Sequence, residues 1–133
     1  YPVIKPPWGS LTALNLNDGR IIWQVPFGEF DYLKKIGFPN TGTENFGGVT
    51  ATAGNIAIAT GTLDKKIYVF DSKNGEILFQ KKLPFVGSAP PSTYLYEGKQ
   101  YIVLHASGGS TLKKGYPNIV NDGNVLIAFK LKE

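Results

Sequence analysis

The 133 residues carry a formal net charge of +4, 42% hydrophobic side chains, no cysteine and one histidine. That length sets a single domain as the expectation, with apolar content enough for a core but no apolar run of the roughly 18 residues a membrane span needs. Absent cysteine excludes disulfides and thiolate metal sites, one histidine excludes a histidine-based metal site within these residues, and lysines scattered over turns and strand ends exclude the concentrated basic patch of a nucleic-acid binder.

In chain order, Tyr1-Pro2-Val3 reads as the interior of a longer chain, not as a signal peptide, so a fragment is expected. Strands are predicted at 10–16 and 21–27, joined by Asn17-Asp18-Gly19, where Asp and Gly accept the positive φ of a tight hairpin. A long loop covers 28–45. Strands at 48–53 and 56–60 flank the turn Gly54-Asn55, and a second pair follows at 66–71 and 76–83. Three more are predicted at 92–96, 100–106 and 124–132, with a second long loop at 107–123. The expected count is two, four and three antiparallel strands, about nine in all. Frequent Gly and Pro leave no amphipathic helix of useful length. Both loops exceed the usual length of a structureless connection, which points to functional or partner-facing segments.

Two stretches repeat each other 56 residues apart. A small or apolar residue at Ala13 and Val69 is followed by Asn15 and Asp71, Gly19 and Gly75, then Trp23 and Phe79. A third copy begins at Ala128-Phe129-Lys130. Such a period signals stacked modules. Asn15 and Asp71 stand where a short polar side chain can bond the backbone of the following turn. Trp23 and Phe79, at one position of the return strand, are expected to wedge between neighbouring sheets as core.

Few residues carry chemistry. His105 lies in the apolar strand 101–106, where a structural role and a catalytic or ligand role both remain open; no nucleophile elbow marks a Ser-His-Asp triad. Asp64 follows Gly61-Thr62-Leu63 at a strand end and is a candidate site residue, against the alternative of a turn aspartate. Gly47-Gly48 and Gly108-Gly109 let a backbone approach a ligand or a neighbouring strand, and neither pair fits a phosphate-binding fingerprint.

The Ala-x-Asn-x-x-Asp-Gly-x-x-x-Trp hairpin at 13–23 resembles the tryptophan-docking motif of PQQ-dependent (quinoprotein) dehydrogenases. In order around it stand Pro6-Pro7-Trp8-Gly9, Gly47-Gly48, Ala53-Gly54, Gly61-Thr62-Leu63-Asp64 and 98–103. Together these are similar to the C-terminal end of membrane-bound glucose dehydrogenases, over nearly the whole chain.

The resemblance implies an all-β fold: the C-terminal blades of an incomplete β-propeller. Residues 1–27 would end one blade, 48–83 form a full blade, and 92–132 form an incomplete last blade that a far N-terminal strand completes. It implies oxidation of a sugar or alcohol by hydride transfer to PQQ beside calcium or magnesium, with electrons passing to ubiquinone or a cytochrome. It places the protein in the periplasm, attached to the inner membrane through an N-terminal segment. The fragment itself is expected to need no cofactor and to be inactive alone, since the cofactor-stacking and metal-binding residues belong mainly to other blades. Asp64 matches a family aspartate near the active site. The family's Ala-Gly-Gly-His segment aligns with Ser107-Gly108-Gly109-Ser110, so Ser110 replaces a substrate-side histidine and the loop after it is longer. Asp64 and Ser110 are therefore the candidate catalytic or substrate-side residues, and glucose specificity is in doubt. A non-enzymatic propeller that binds proteins shares the hairpin and is the alternative. Open sheet edges invite pairing with another copy.

Overall fold

The computed structural model describes residues 3–130. Its first sheet is the hairpin of β1 (Ser10–Leu14) and β2 (Ile21–Pro26). After the short helix α1 (Asp31–Lys35) come β3 (Val49–Ala51), β4 (Ile56–Ala59), β5 (Lys66–Asp71) and β6 (Ile77–Lys82). The last sheet holds β7 (Ser92–Tyr96), β8 (Lys99–Ala106) and β9 (Val125–Lys130), with helix α2 (Ser110–Gly115) between the latter two. All pairings are antiparallel between neighbours in sequence, giving sheets of two, four and three strands. Residues 131 and 132 of the expected last strand lie outside the described residues.

The repeat holds bond by bond. Asn17 N donates to Asn15 Oδ1 at 2.9 Å and Lys73 N to Asp71 Oδ1 at 2.8 Å. Gly19 N reaches Asn15 O, and Gly75 N reaches Asp71 O, both glycines with positive φ. Each copy also shifts register at the same point, between Ala13 and Leu14 and between Val69 and Phe70. A β-bulge there tightens the twist into the turn.

Period-two alternation decides the packing. Ala57, Ala59, Tyr68 and Phe70 face the first sheet and pack with Phe27, Leu11 and Val25. Ile58, Ile67 and Val69 face the opposite way, onto Leu104, Ala106 and the partly buried Ile102, Ile127 and Phe129 of the last sheet. The central strands β4 and β5 are thus buried on both faces and read as near-continuous apolar runs for that reason, whereas the edge strands β3 and β6 are largely exposed. Trp23 binds the first sheet to the middle one: its indole N–H donates to Ser72 O at 2.9 Å. Phe79 departs from expectation. Its ring meets Phe129 edge-on at 6.4 Å but stays 46% exposed, so it is a half-open contact and not core.

The two long loops are also less structureless than expected, since each contains a helix of five or six residues. These are too short to show a period in the sequence and are held by their neighbours.

Candidate functional site

Antiparallel pairing sorts the connections by length. Tight turns join β1 to β2, β3 to β4, β5 to β6 and β7 to β8. The opposite end of the stack carries residues 3–9, 27–48, 60–65, 83–91 and 107–124. These segments form a layer of their own. Trp8 N donates to Thr41 O at 2.7 Å, Phe27 N to Gly9 O at 3.0 Å, and Ser107 N and Gly108 N both to Val86 O at 3.1 Å. Leu63, Val86, Leu112 and Val120 make a small core beneath it, with Phe30, Tyr116 and Ile119 packed against them.

Four buried threonines stitch this layer together. Phe30 N donates to Thr41 Oγ1 at 2.9 Å, and Leu63 N to Thr43 Oγ1 at 3.1 Å. Thr60 Oγ1 donates to Ala89 O at 3.1 Å, and Thr62 Oγ1 to Asp64 Oδ1 at 2.6 Å. A hydroxyl that both donates and accepts can satisfy loop backbone where no strand partner exists. Gly48 lies with its Cα against Pro90, so an added Cβ would come 2.5 Å from the proline ring. Close approach to a neighbouring segment accounts for a glycine there.

Asp64 is buried, and its side chain is 0% exposed. Beyond Thr62, it accepts from the Tyr68 hydroxyl through Oδ2, and Lys66 Nζ stands 3.8 Å from the same oxygen. Burial, reinforced by the Asp64 charge and the bond to it, pushes the Tyr68 phenol far above its ordinary range. Asp64 contributes to the wall of a 320 Å³ pocket with Glu29, Lys35, Lys65 and Lys82, yet both carboxylate oxygens are engaged inward. Ser110 opens α2 immediately after Gly109; its side chain lies outside the described residues. His105 Nε2 donates to Asn124 Oδ1 at 2.6 Å, and the residue lines none of the three pockets described.

A cleft of 620 Å³ opens in the loop layer between Ile4, Pro7, Trp8, Phe30, Tyr32, Glu44, Tyr116 and Ile119. The ring centroids of Trp8 and Phe30 stand 6.0 Å apart and those of Phe30 and Tyr32 5.9 Å, each pair tilted (59° and 58°), and all three rings line the cleft. The Tyr116 hydroxyl donates to Glu44 Oε2 across 72 residues of chain, and burial together with that bond pushes its pKa up to about 12. Of the residues around the cleft, Trp8 belongs to the Pro6-Pro7-Trp8-Gly9 motif, and Glu44 and Tyr116 lie in the long loops 28–45 and 107–123. Their convergence was not foreseen. The signal available was four large aromatic side chains in segments without strand alternation.

Among the described residues no three His, Cys, Asp or Glu side chains come together as a metal site, and the one fully shielded carboxylate is already satisfied. These residues therefore do not fit a metal-plus-quinone centre by themselves.

Residues 1–102 match the family described as PQQ glucose/ethanol/alcohol dehydrogenase, β-propeller domain. The chain is 35% identical, over 80% of its length, to quinoprotein glucose dehydrogenase of Escherichia coli strain K12. It is 32% identical, again over 80%, to quinate/shikimate dehydrogenase (quinone) of Acinetobacter baylyi. It spans only 14% of the length of each. Quinohemoprotein alcohol dehydrogenase from Comamonas testosteroni superposes over 91% of the chain and 16% of its own, with a TM-score of 0.67 at 22% identity. That likeness shows a propeller fold.

Proposed function

Because the chain belongs to the PQQ β-propeller family of glucose, ethanol and alcohol dehydrogenases, we propose that it supplies consecutive blades of a quinoprotein that oxidises a sugar or an alcohol. The match over residues 1–102 carries this reading. Residues 1–27 would close one blade, 48–83 form the next, and 92–132 begin the last.

In this reading PQQ, with calcium or magnesium, is held by blades other than these, and electrons pass on to ubiquinone or a cytochrome. The protein works in the periplasm and is attached to the inner membrane by another segment. Among the described residues no helix is long and apolar enough to cross a membrane. What these blades contribute is the loop layer. Asp64 acts as a positioning residue, fixing the 60–65 connection through Thr62 and Tyr68. Ser110 stands on the substrate side, where its short hydroxyl leaves more room than a histidine and carries no positive charge.

The test is a dye-linked assay of the full-length protein, reconstituted with PQQ and calcium or magnesium, over a panel of sugars and alcohols. PQQ-dependent oxidation of at least one is expected, and none on any substrate overturns the reading. Ser110→His should then shift the ratio of kcat/KM between substrates, because discrimination is differential transition-state binding. Unchanged ratios would remove Ser110 from the substrate side.

A further inference from the structure

We propose that the cleft between Trp8, Phe30, Tyr32, Glu44 and Tyr116 is a subsite for a cyclic polyhydroxylated substrate, stacking the ring's C–H face on the aromatic wall and taking one hydroxyl on Glu44. The inference rests on the dehydrogenase reading and names the substrate class that this face of the molecule selects.

Shape comes first. At 620 Å³ the cleft falls in the usual range for small-molecule sites. It is mostly apolar-walled, and the mutually tilted rings of Trp8, Phe30 and Tyr32 line it. Such a wall suits a ligand with one apolar face, which a saturated sugar ring presents through its axial hydrogens.

Hydrogen-bond polarity then selects among planar and cyclic ligands. The Trp8 indole N–H is spent on Ile4 O at 2.8 Å. The Tyr116 hydroxyl is spent on Glu44 Oε2. Among the described residues no further bond is made by Glu44 Oε1, so the cleft offers a charged acceptor. A substrate hydroxyl donates to it directly, in a charge-assisted bond of the stronger kind. A quinone ring has carbonyl acceptors only and would set them against a carboxylate. The cleft therefore favours the hydroxyl-rich reductant over the electron acceptor.

Location agrees. The cleft lies in the loop layer that also holds Asp64 and the start of α2, and it shares Phe30, Tyr32 and Ile119 with the adjoining 320 Å³ pocket. Three connections that are far apart in sequence meet there, around residues 4–8, 30–44 and 116–119. Changes in loop length can reshape it without disturbing the sheets.

The experiment uses the full-length protein in two forms. In the cofactor-free form, D-glucose is followed by saturation-transfer NMR in the parent and in Trp8→Ala, Trp8→Phe and Glu44→Gln. In the reconstituted form, kcat and KM are measured for glucose and for ethanol, which has no ring face to stack. Expected are glucose signals in the parent that are lost in Trp8→Ala and largely kept in Trp8→Phe. Glu44→Gln should weaken binding about tenfold, the scale of one hydrogen bond to a charged group. The glucose-to-ethanol ratio of kcat/KM should fall in Trp8→Ala and Glu44→Gln, with the loss in KM. If the parent oxidises glucose yet neither variant changes binding or that ratio, the subsite is overturned and the dehydrogenase reading stands. If the parent oxidises nothing but binds glucose in a Trp8- and Glu44-dependent way, the subsite stands and the dehydrogenase reading falls. Displacement of glucose by a soluble benzoquinone at lower concentration would overturn the polarity argument, and so the proposal.

Discussion

Trp23 owes its effect to what it meets. Its ring lies over Gly75, where an added Cβ would come 2.7 Å from Cε3, and its N–H holds Ser72 O in the same turn. Gly75 also has φ +76°, so the turn needs a glycine both for conformation and for room. Trp23→Ala should cost about 2–4 kcal/mol, from the cavity left by a half-buried ring and one lost hydrogen bond. Gly75→Ala should cost a similar amount, part strain and part clash. The two losses should sum to more than the double variant shows, because only the clash disappears with the ring. Thermal melts of the three variants decide it, and strict additivity would contradict a Trp23–Gly75 contact. Phe79→Ala should cost only about 1 kcal/mol, as nearly half of that side chain already faces water. Asp64 presents the opposite case. Asp64→Ala leaves the Tyr68 hydroxyl and the nearby Lys66 without their acceptor and should cost about 3–5 kcal/mol. Tyr68→Phe leaves Asp64 with Thr62 and Lys66 and should cost about 1 kcal/mol. Equal melting temperatures for the two variants would argue against Asp64 as the hub of this network.

At the scale of elements, one carboxylate ties together the α1 end of the loop from β2 to β3. Glu29 accepts from Lys34 Nζ at 2.6 Å and from Asn40 N at 2.8 Å, pinning both ends of the α1 turn. Burial pushes the Glu29 pKa up, but Lys34 and the Asn40 N–H outweigh it and leave the carboxyl below its ordinary 4.5. A folded value below the unfolded one means that the stabilisation is present above pH 4.5 and is lost as pH falls through the lower, folded value. Denaturation midpoints should therefore drop on acidification in the parent and drop less in Glu29→Gln; parallel profiles would remove Glu29 from that role. This element also marks where the sequence stops being legible. Asn15, Gly19 and Trp23 reappear as Asp71, Gly75 and Phe79, and those local turn signals were enough to place every strand within a few residues. The helix Asp31–Lys35 has no such signature: five residues show no period, and it exists because Leu33 is buried beneath the loop layer. Asp64 was visible as a residue at a strand end, but its inward hydrogen bonds were not. The cleft between Ile4 and Ile119 was invisible for the same reason, since only tertiary structure brings those segments together.

At the scale of the molecule, apolar surface is distributed unevenly. The central strands β4 and β5 are covered on both faces, whereas Leu14, Ile21 and Ile22 of the first sheet, Ile77 and Leu78 on the edge strand β6, and Leu95, Tyr96 and Leu126 of the last sheet are exposed. Exposed apolar side chains in rows at both ends of a sheet stack mark places where further sheets pack. The sheets themselves end in unpaired strands, β1 and β2 in one and β7 and β9 in another. Unpaired edges beside apolar faces make self-association the expected behaviour of these 133 residues on their own. Light scattering should give a mass above the monomer's 14.5 kDa that rises with concentration. A monomer throughout would show that the exposed faces are not adhesive. The same preparation should also be catalytically silent. Its one shielded carboxylate is consumed by Thr62 and Tyr68, and no three ligating side chains converge among the described residues. With PQQ and calcium added, dye reduction on glucose or ethanol should not exceed a control with PQQ alone. A rate above that control, abolished by Asp64→Asn but kept by Phe79→Ala, would mean that Asp64 turns outward to serve as a catalytic group and that its inward bonds to Thr62 and Tyr68 are not the working state.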